Sequence, residues 1–221
     1  MKRYAFILLT IIALSFVMGC HANKSNINIS KNDFNDTYIL EEELFEDQSN
    51  DMSIKITYPQ IKNSDTPAAK QIDYIIKDNA IDRYYNKYNL KGLTLDQSYE
   101  VELCNNEMLS IVFYQYSYVA GTPHPNSSCH AITINLKTAE RLFLSDFIKS
   151  REDLENSIVN GNYEILYGGL KAMNKDEVIK TIDEKLNQDG FYISKSGDIC
   201  ILIDLPNSGG GYSVIRIDKC I

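Results

Sequence analysis

Apolar and polar residues alternate along several stretches of this chain and recur at three- and four-residue spacing in others, which separates strands from amphipathic helices. Segments 37–46 and 52–58 carry the first strands. Thr66-Pro67 then supplies an N-cap and a proline at the first helical position, where a missing N–H costs nothing. Ile72, Ile75, Ile76, Ala80, Tyr84 and Tyr88 share one face and Gly92 stops the run, so the spacing predicts a helix over 66–90. Strands follow near 98–104, 108–118 and 128–136, and Lys137-Thr138-Ala139-Glu140 turns the chain into a short strand over 141–144. Ser145 and Asp146 open a helical region that runs, with breaks, to about residue 170. Asn174-Lys175-Asp176-Glu177 has the form of a capping box, and Val178, Ile179, Ile182 and Leu186 extend it as a second amphipathic helix that Gly190 ends. Strands near 191–194, 198–205 and 212–218 close the chain. Helices interspersed with mainly antiparallel hairpins predict an α+β fold, a sheet packed against amphipathic helices in two intimately joined subdomains, 37–105 (β-α-β) and 106–221.

The first residues follow another logic. Met1-Lys2-Arg3 is basic, Tyr4 to Met18 is apolar and uncharged, and Gly19-Cys20 closes the run. This is the order that export machinery reads, and the apolar stretch is shorter than the roughly 20 residues a spanning helix needs. Val17-Met18-Gly19-Cys20 resembles the bacterial lipobox. That resemblance implies removal of residues 1–19 as a signal peptide and diacylglyceryl transfer to the Cys20 thiol. The acyl chains, such as palmitate, would then anchor the chain on the outer face of the cell membrane. The alternatives are an ordinary signal peptide with a chance cysteine and an uncleaved anchor helix. Residues 20–36, polar and rich in Asn and Ser, read as a flexible tether.

Charge narrows the partners. The 221-residue chain has 22 basic and 30 acidic residues; without Lys2 and Arg3 the processed form has 20 against 30, a net charge of −10. An acidic surface argues against nucleic acid and favours basic partners or simple solubility. The cluster Glu41, Glu42, Glu43, Glu46, Asp47 and Asp51 reads as a solvated strand face.

Cys104, Cys129, Cys200 and Cys220 remain after lipidation, an even number that permits two disulfides in an exported protein. If 98–104 pairs with 108–118, Cys104 lies opposite about residue 109; if 108–118 pairs with 128–136, Cys129 lies opposite about residue 117. That separation, on the order of 26 Å at strand rise, disfavours Cys104–Cys129 and leaves bridges that join the C-terminal strands to the central sheet. None of the four has zinc-site spacing, and Cys129 and His130, adjacent on a strand, point to opposite faces, so no metal or other cofactor is expected. Gly209-Gly210-Gly211 lies between two strands, with no helix behind it to cradle a phosphate, and reads as a hairpin loop. No hydrolase, zinc-protease or nucleotide motif is present, so no catalytic residue is assigned.

Binding has more support. Strand 108–118 sets Leu109, Ile111 and Phe113 on one face, suited to a helix-covered core, and Val112, Tyr114, Tyr116 and Tyr118 on the other. Tyrosines on an open sheet face suit recognition; the alternative is that they are buried or simply favour strand geometry. The loop that follows contains Pro123, His124, Pro125 and Asn126, whose prolines stiffen the display of His124, either for recognition or to protect a sheet edge.

Residues 110–148, SIVFYQYSYVAGTPHPNSSCHAITINLKTAERLFLSDFI, resemble a widespread bacterial domain with an aromatic strand, a His-Pro-Asn loop, a strand ending near Asn-Leu-Lys-Thr and then Leu-x-Leu-Ser-Asp-Phe. It forms the extracellular part of RsiV-type anti-sigma factors, which bind lysozyme, and stands beside the catalytic domain of PdaC-type peptidoglycan deacetylases. Tyr58-Pro59-Gln60-Ile61 ahead of the long helix is similar to the partner subdomain, and Phe191-Tyr192-Ile193-Ser194 with Gly209-Gly210-Gly211-Tyr212 fits the closing strands. The resemblance makes 37–105 PdaC-like and 106–221 RsiV-like. It implies a non-catalytic envelope lipoprotein that binds a protein or cell-wall ligand, lysozyme or peptidoglycan, through the 114–126 strand and loop. The competing expectation is an envelope hydrolase or deacetylase-accessory domain. With 19 residues before Cys20 and an end at Ile221, neither a sigma-binding segment nor a deacetylase domain is expected.

Intact-mass spectrometry of the membrane fraction should find a product that starts at Cys20 and carries the diacylglyceryl thioether. Cys20→Ala should accumulate the unprocessed precursor; an unmodified Cys20 thiol would remove the anchor.

Overall fold

The computed structural model describes residues 27–30, 37–49, 51–82, 91–148, 150–185, 190–206 and 211–217. Seven strands form one sheet in chain order: β1 (Ile27–Ser30), β2 (Thr37–Asp47), β3 (Ser53–Ile61), β4 (Leu93–Cys104), β5 (Met108–Val119), β6 (Asn126–Asn135) and β7 (Glu140–Leu142). Only the β3–β4 pair is parallel among these, because a helix intervenes; the other neighbours are antiparallel hairpin partners. A second sheet has the order β8 (Tyr163–Tyr167), β11 (Tyr212–Ile217), β10 (Ile199–Asp204) and β9 (Phe191–Ile193). The α+β class is as the sequence predicts. The large sheet runs across position 105, where β4 and β5 pair from Leu93↔Val119 to Cys104↔Leu109.

Helix α1 (Pro67–Lys77) starts as expected, with Thr66 Oγ1 accepting from the Ala69 N–H at 3.2 Å. Its Ile72 and Ile76 are fully buried against Leu109, Ile111 and Phe113 of β5, the helix-covered face read from the sequence. The last turn widens into a π-helical turn, Asp78–Asp82, and residues 83–90 of the predicted helix lie outside the described residues. Side chains of the sheet meet carbonyls of this turn. Gln97 Nε2 donates to Ala80 O at 3.1 Å, and His130 Nε2 lies 3.2 Å from Asn79 O, a contact that requires the proton on Nε2. The His130 ring also stacks on Phe113, with centroids 4.8 Å apart.

The region read as broken helix to residue 170 is different. Ser150 caps α2 (Arg151–Val159), but β8 follows as a strand. Gly161 and Gly168, at φ +80° and +91°, bracket Tyr-Glu-Ile-Leu-Tyr, and these left-handed turns break the helical path where glycine alone adopts them cheaply. The capping box is present before α3 (Lys175–Lys185): Glu177 N–H donates to Asn174 Oδ1 at 3.0 Å and Asn174 N–H to Glu177 Oε2 at 2.9 Å.

The layers stack as helix, sheet, sheet, helices. Ile199, Ile201, Ile203, Ile215 and Ile217 of the small sheet bury against Leu154, Ile158, Val178 and Ile182 of α2 and α3. Its opposite face, Tyr192, Cys200, Leu202 and Val214, packs on Val112, Cys129 and Ala131 of the large sheet. A polar latch crosses this apolar seam: Ile193 N–H donates to the fully buried Ser110 Oγ at 2.9 Å, and Ser110 Oγ pairs with Thr133 Oγ1 at 2.7 Å.

The expected disulfides are not formed by the described cysteines. Cys104, Cys129 and Cys200 are free thiols, and Cys220 lies outside the described residues. Cys104 does face Leu109, but Cys129 faces Tyr114 rather than about residue 117, and the two cysteines pack in different cores. Cys200 shares the inter-sheet core with Cys129, yet its thiol is hydrogen-bonded to the hydroxyl of its cross-strand partner Tyr192.

Ser110→Ala removes the acceptor for a buried N–H and should lower unfolding free energy by about 1–3 kcal/mol. Urea denaturation checks this; an unchanged midpoint would show that the latch contributes nothing.

Candidate functional site

At one end of the inter-sheet seam the apolar contact gives way to a cleft of ≈ 470 Å³. Strand registry builds its first wall. Asp96 of β4, Tyr116 of β5 and Ser127 of β6 are successive cross-strand partners, and Ser98 lies opposite Tyr114, so these side chains share the face turned to the small sheet. Tyr167 of β8 and Tyr212 of β11 form the second wall, their rings stacked with centroids 4.8 Å apart and planes at 28°. Gln115 and Ser128 complete the lining, with Ser128 Oγ donating to Gln115 Oε1 at 3.0 Å.

Two glycines hold the second wall. Gly168 follows Tyr167 and Gly211 precedes Tyr212, at φ +91° and +82°. A Cβ on Gly168 would lie 2.2 Å from Tyr212 O, and one on Gly211 would lie 2.0 Å from Ser127 O. Backbone approach this close is open only to glycine, and it presses the loop before β11 onto the start of β6. Leu205 N–H donates to Gly211 O at 3.0 Å and closes that loop, whose residues 207–210 lie outside the described residues.

The electrostatics follow from burial and neighbouring carboxylates. The Tyr114 hydroxyl donates to Glu100 Oε2 at 3.4 Å; burial first, and then Glu100, raises Tyr114 above the usual phenol range. Burial, with Cys129, Tyr167 and Glu100, pushes Tyr212 up to about 12. Burial likewise raises Cys129, pushes Cys200 up to about 11 and Cys104 up to about 12. These thiols hold their protons at neutral pH, the reverse of an activated nucleophile. Cys129 turns to the small sheet while His130 turns under α1, so the adjacent pair does not converge. Among the described residues no three of His, Cys, Asp and Glu form a group able to hold a metal ion.

The structure brings Tyr114 and Tyr116 into the cleft. Tyr118, one third exposed, lies farther along β5 and does not line it. Pro123, His124, Pro125 and Asn126 are exposed at the hairpin end and also stand apart from the cleft. Gly121 at φ +90° and Thr122 Oγ1, which donates to Val119 O at 2.8 Å, shape that loop. Sequence reasoning missed Asp96, Ser98, Gln115, Ser127, Ser128, Tyr167 and Tyr212 as site residues. The alternation Leu93-Thr94-Leu95-Asp96 signals that β4 starts five residues earlier than read, and the Gly-Tyr and Tyr-Gly steps flag the two rings.

No protein-family model matches the chain, and no curated protein matches it. Its structural neighbours are DUF3298 family proteins. A crystal structure of one from Pseudomonas aeruginosa is similar over 82% of this chain and 88% of its own, with a TM-score of 0.50 at 14% identity. Another, from Bacteroides fragilis, is similar over 81% of this chain and 90% of its own, with a TM-score of 0.47 at 14% identity. The first likeness concerns the fold; the cleft is read from the residues of this chain.

The raised phenols and thiols have a consequence for stability. The unfolded chain releases these protons near pH 9 for thiols and 10 for phenols, while the folded chain keeps them. Their contribution is therefore complete below pH 9 and is lost as pH rises towards about 12. Urea midpoints measured against pH should fall above pH 9, and Tyr212→Phe should make the fall shallower between pH 10 and about 12; an identical profile would contradict the buried-phenol assignment.

Proposed function

We propose that this chain is a non-catalytic cell-envelope lipoprotein, tethered through Cys20 outside the membrane, that binds a protein or cell-wall ligand in the tyrosine cleft. The observation that carries the reading is the convergence of Tyr114, Tyr116, Tyr167 and Tyr212 from two sheets on one cleft. Rings with polar tips give contact area and hydrogen bonds at little conformational cost, the usual composition of recognition surfaces. Both walls are built on β-sheet, and the volume lies within the range of ligand sites, roughly 300–1,000 Å³. The hydroxyls of Tyr114 and Tyr212 are held in their protonated forms, which suits hydrogen bonding better than proton abstraction.

The sequence resemblance to RsiV-type extracellular domains makes lysozyme, a basic protein, the first candidate ligand; the acidic charge of this chain supports the same choice. Peptidoglycan fragments are the second. Among the described residues no helix is long and apolar enough to cross a membrane, and the proposed anchor is the lipid on Cys20.

The test uses the full chain in detergent, mixed with cell wall with and without lysozyme. Inhibition of lysozyme at micromolar concentration supports capture, and Tyr212→Ala should weaken it at least ~10-fold, as expected for a central aromatic anchor. Fragments released without lysozyme would replace the proposal with wall hydrolysis. No interaction with lysozyme or muropeptides would end it.

A further inference from the structure

The chemistry of the cleft wall selects among ligands. Among the described lining residues the one carboxylate is Asp96, exposed beside Tyr116, and none is Lys, Arg or His. Glu100 stands just beyond, bonded to the Tyr114 hydroxyl. Glu102 also bears on Tyr114, and Lys195 lies near Glu102 rather than among the lining residues. An anionic ligand would meet carboxylates with no cation among the described lining residues to offset them. Ring faces carry the negative part of the aromatic quadrupole and attract cations within about 6 Å of the centroid. The stacked Tyr167–Tyr212 pair offers such a face at the cleft. A neutral sugar would also stack there, but it would gain no ionic attraction from Asp96.

Resting on the reading of this cleft as the binding site, we infer that it takes a cationic group, an ammonium or guanidinium, seated against the tyrosine pair with Asp96 as its counter-charge. The cation lies over ring surface and is neutralised by a carboxylate on the facing sheet, so neither group is desolvated unpaired. The exposure of Asp96 makes the attraction sensitive to salt. Two sources present this chemistry: a free small cation, and a basic side chain on a polypeptide.

The experiment titrates the full chain, with its tyrosine rings isotope-labelled for NMR, against tetramethylammonium, Nα-acetyl-lysine methylamide, Nα-acetyl-arginine methylamide and the uncharged norleucine methylamide. The expected result is saturable movement of the Tyr167 and Tyr212 signals, with a charged probe bound about 10-fold more tightly than norleucine, the ratio that ~1.4 kcal/mol of cation–π and ionic attraction gives. Asp96→Asn, at an exposed position that should leave folding intact, should reduce that ratio to about 3-fold or less, on the same conversion. Preference for tetramethylammonium points to a free cation, and preference for the lysine or arginine amide to a polypeptide side chain. Equal binding of norleucine, or an unchanged ratio in Asp96→Asn, overturns the inference. If lysozyme or muropeptides bind while no probe shows a charge preference, the binding function stands and only its cationic specificity falls. If none of these ligands binds, the binding function falls with it.

Discussion

The apolar seam between the two sheets is the contact on which the rest of this structure depends. Val112, Cys129 and Ala131 on one side and Tyr192, Cys200, Leu202 and Val214 on the other remove each sheet's second face from water. Fully burying a side chain such as Leu or Val stabilises by roughly 1.5–3 kcal/mol, so a handful of residues suffices to hold two sheets that already have helix-covered cores of their own. Ala131 and Cys129 are small, which lets the layers approach, and the Ser110–Ile193 hydrogen bond fixes where along the strands they meet. The seam cannot continue past Tyr114 and Val214. Beyond them the facing positions are Asp96, Tyr116, Ser127, Tyr167 and Tyr212, whose polar atoms require water or a partner. The cleft is the place where complementarity between the sheets stops.

Backbone geometry sharpens that edge. Tyr167 and Tyr212 lie at the ends of β8 and β11, where strands usually fray, yet their rings are stacked. The stacking is possible because Gly168 and Gly211 allow the backbone of one segment to touch the next at distances no side chain tolerates. Two residues in left-handed conformation thus keep a pair of aromatic rings registered on sheet ends, and glycine is the residue for which that conformation costs least.

The sequence reading and the structure agree best where one physical signal acts alone. Thr66-Pro67, Asn174 with Glu177, and the alternation of Leu109, Ile111 and Phe113 against Val112, Tyr114 and Tyr116 are local statements, and each has its expected counterpart. Failures arise where the decisive partner is remote. β8 reads as helix because nothing local announces that β11, more than forty residues later, will supply its hydrogen bonds. Of the candidate site, Tyr114 and Tyr116 were legible on β5. The rest was not, because Asp96 and Ser98 acquire meaning only through registry with β5, and Tyr167 and Tyr212 only through the stacking of one sheet on another. The disulfides failed for a related reason. An even cysteine count describes what oxidation permits, while burial places Cys104 in one core and Cys129 and Cys200 in another.

The same burial sets the protonation of the groups around the cleft. A general base or nucleophile works when its pKa lies near the operating pH and its partner is within hydrogen-bond reach. The thiols and phenols around the seam are moved the other way, because low-dielectric surroundings and the carboxylates Glu100 and Glu102 both disfavour their anions. A phenol that keeps its proton is a hydrogen-bond donor with a neutral, electron-rich ring. Tyr114 and Tyr212 bring two such rings to the lining of the cleft, where Asp96 supplies an exposed carboxylate. The physics that stabilises the seam therefore also determines what its open end is able to do.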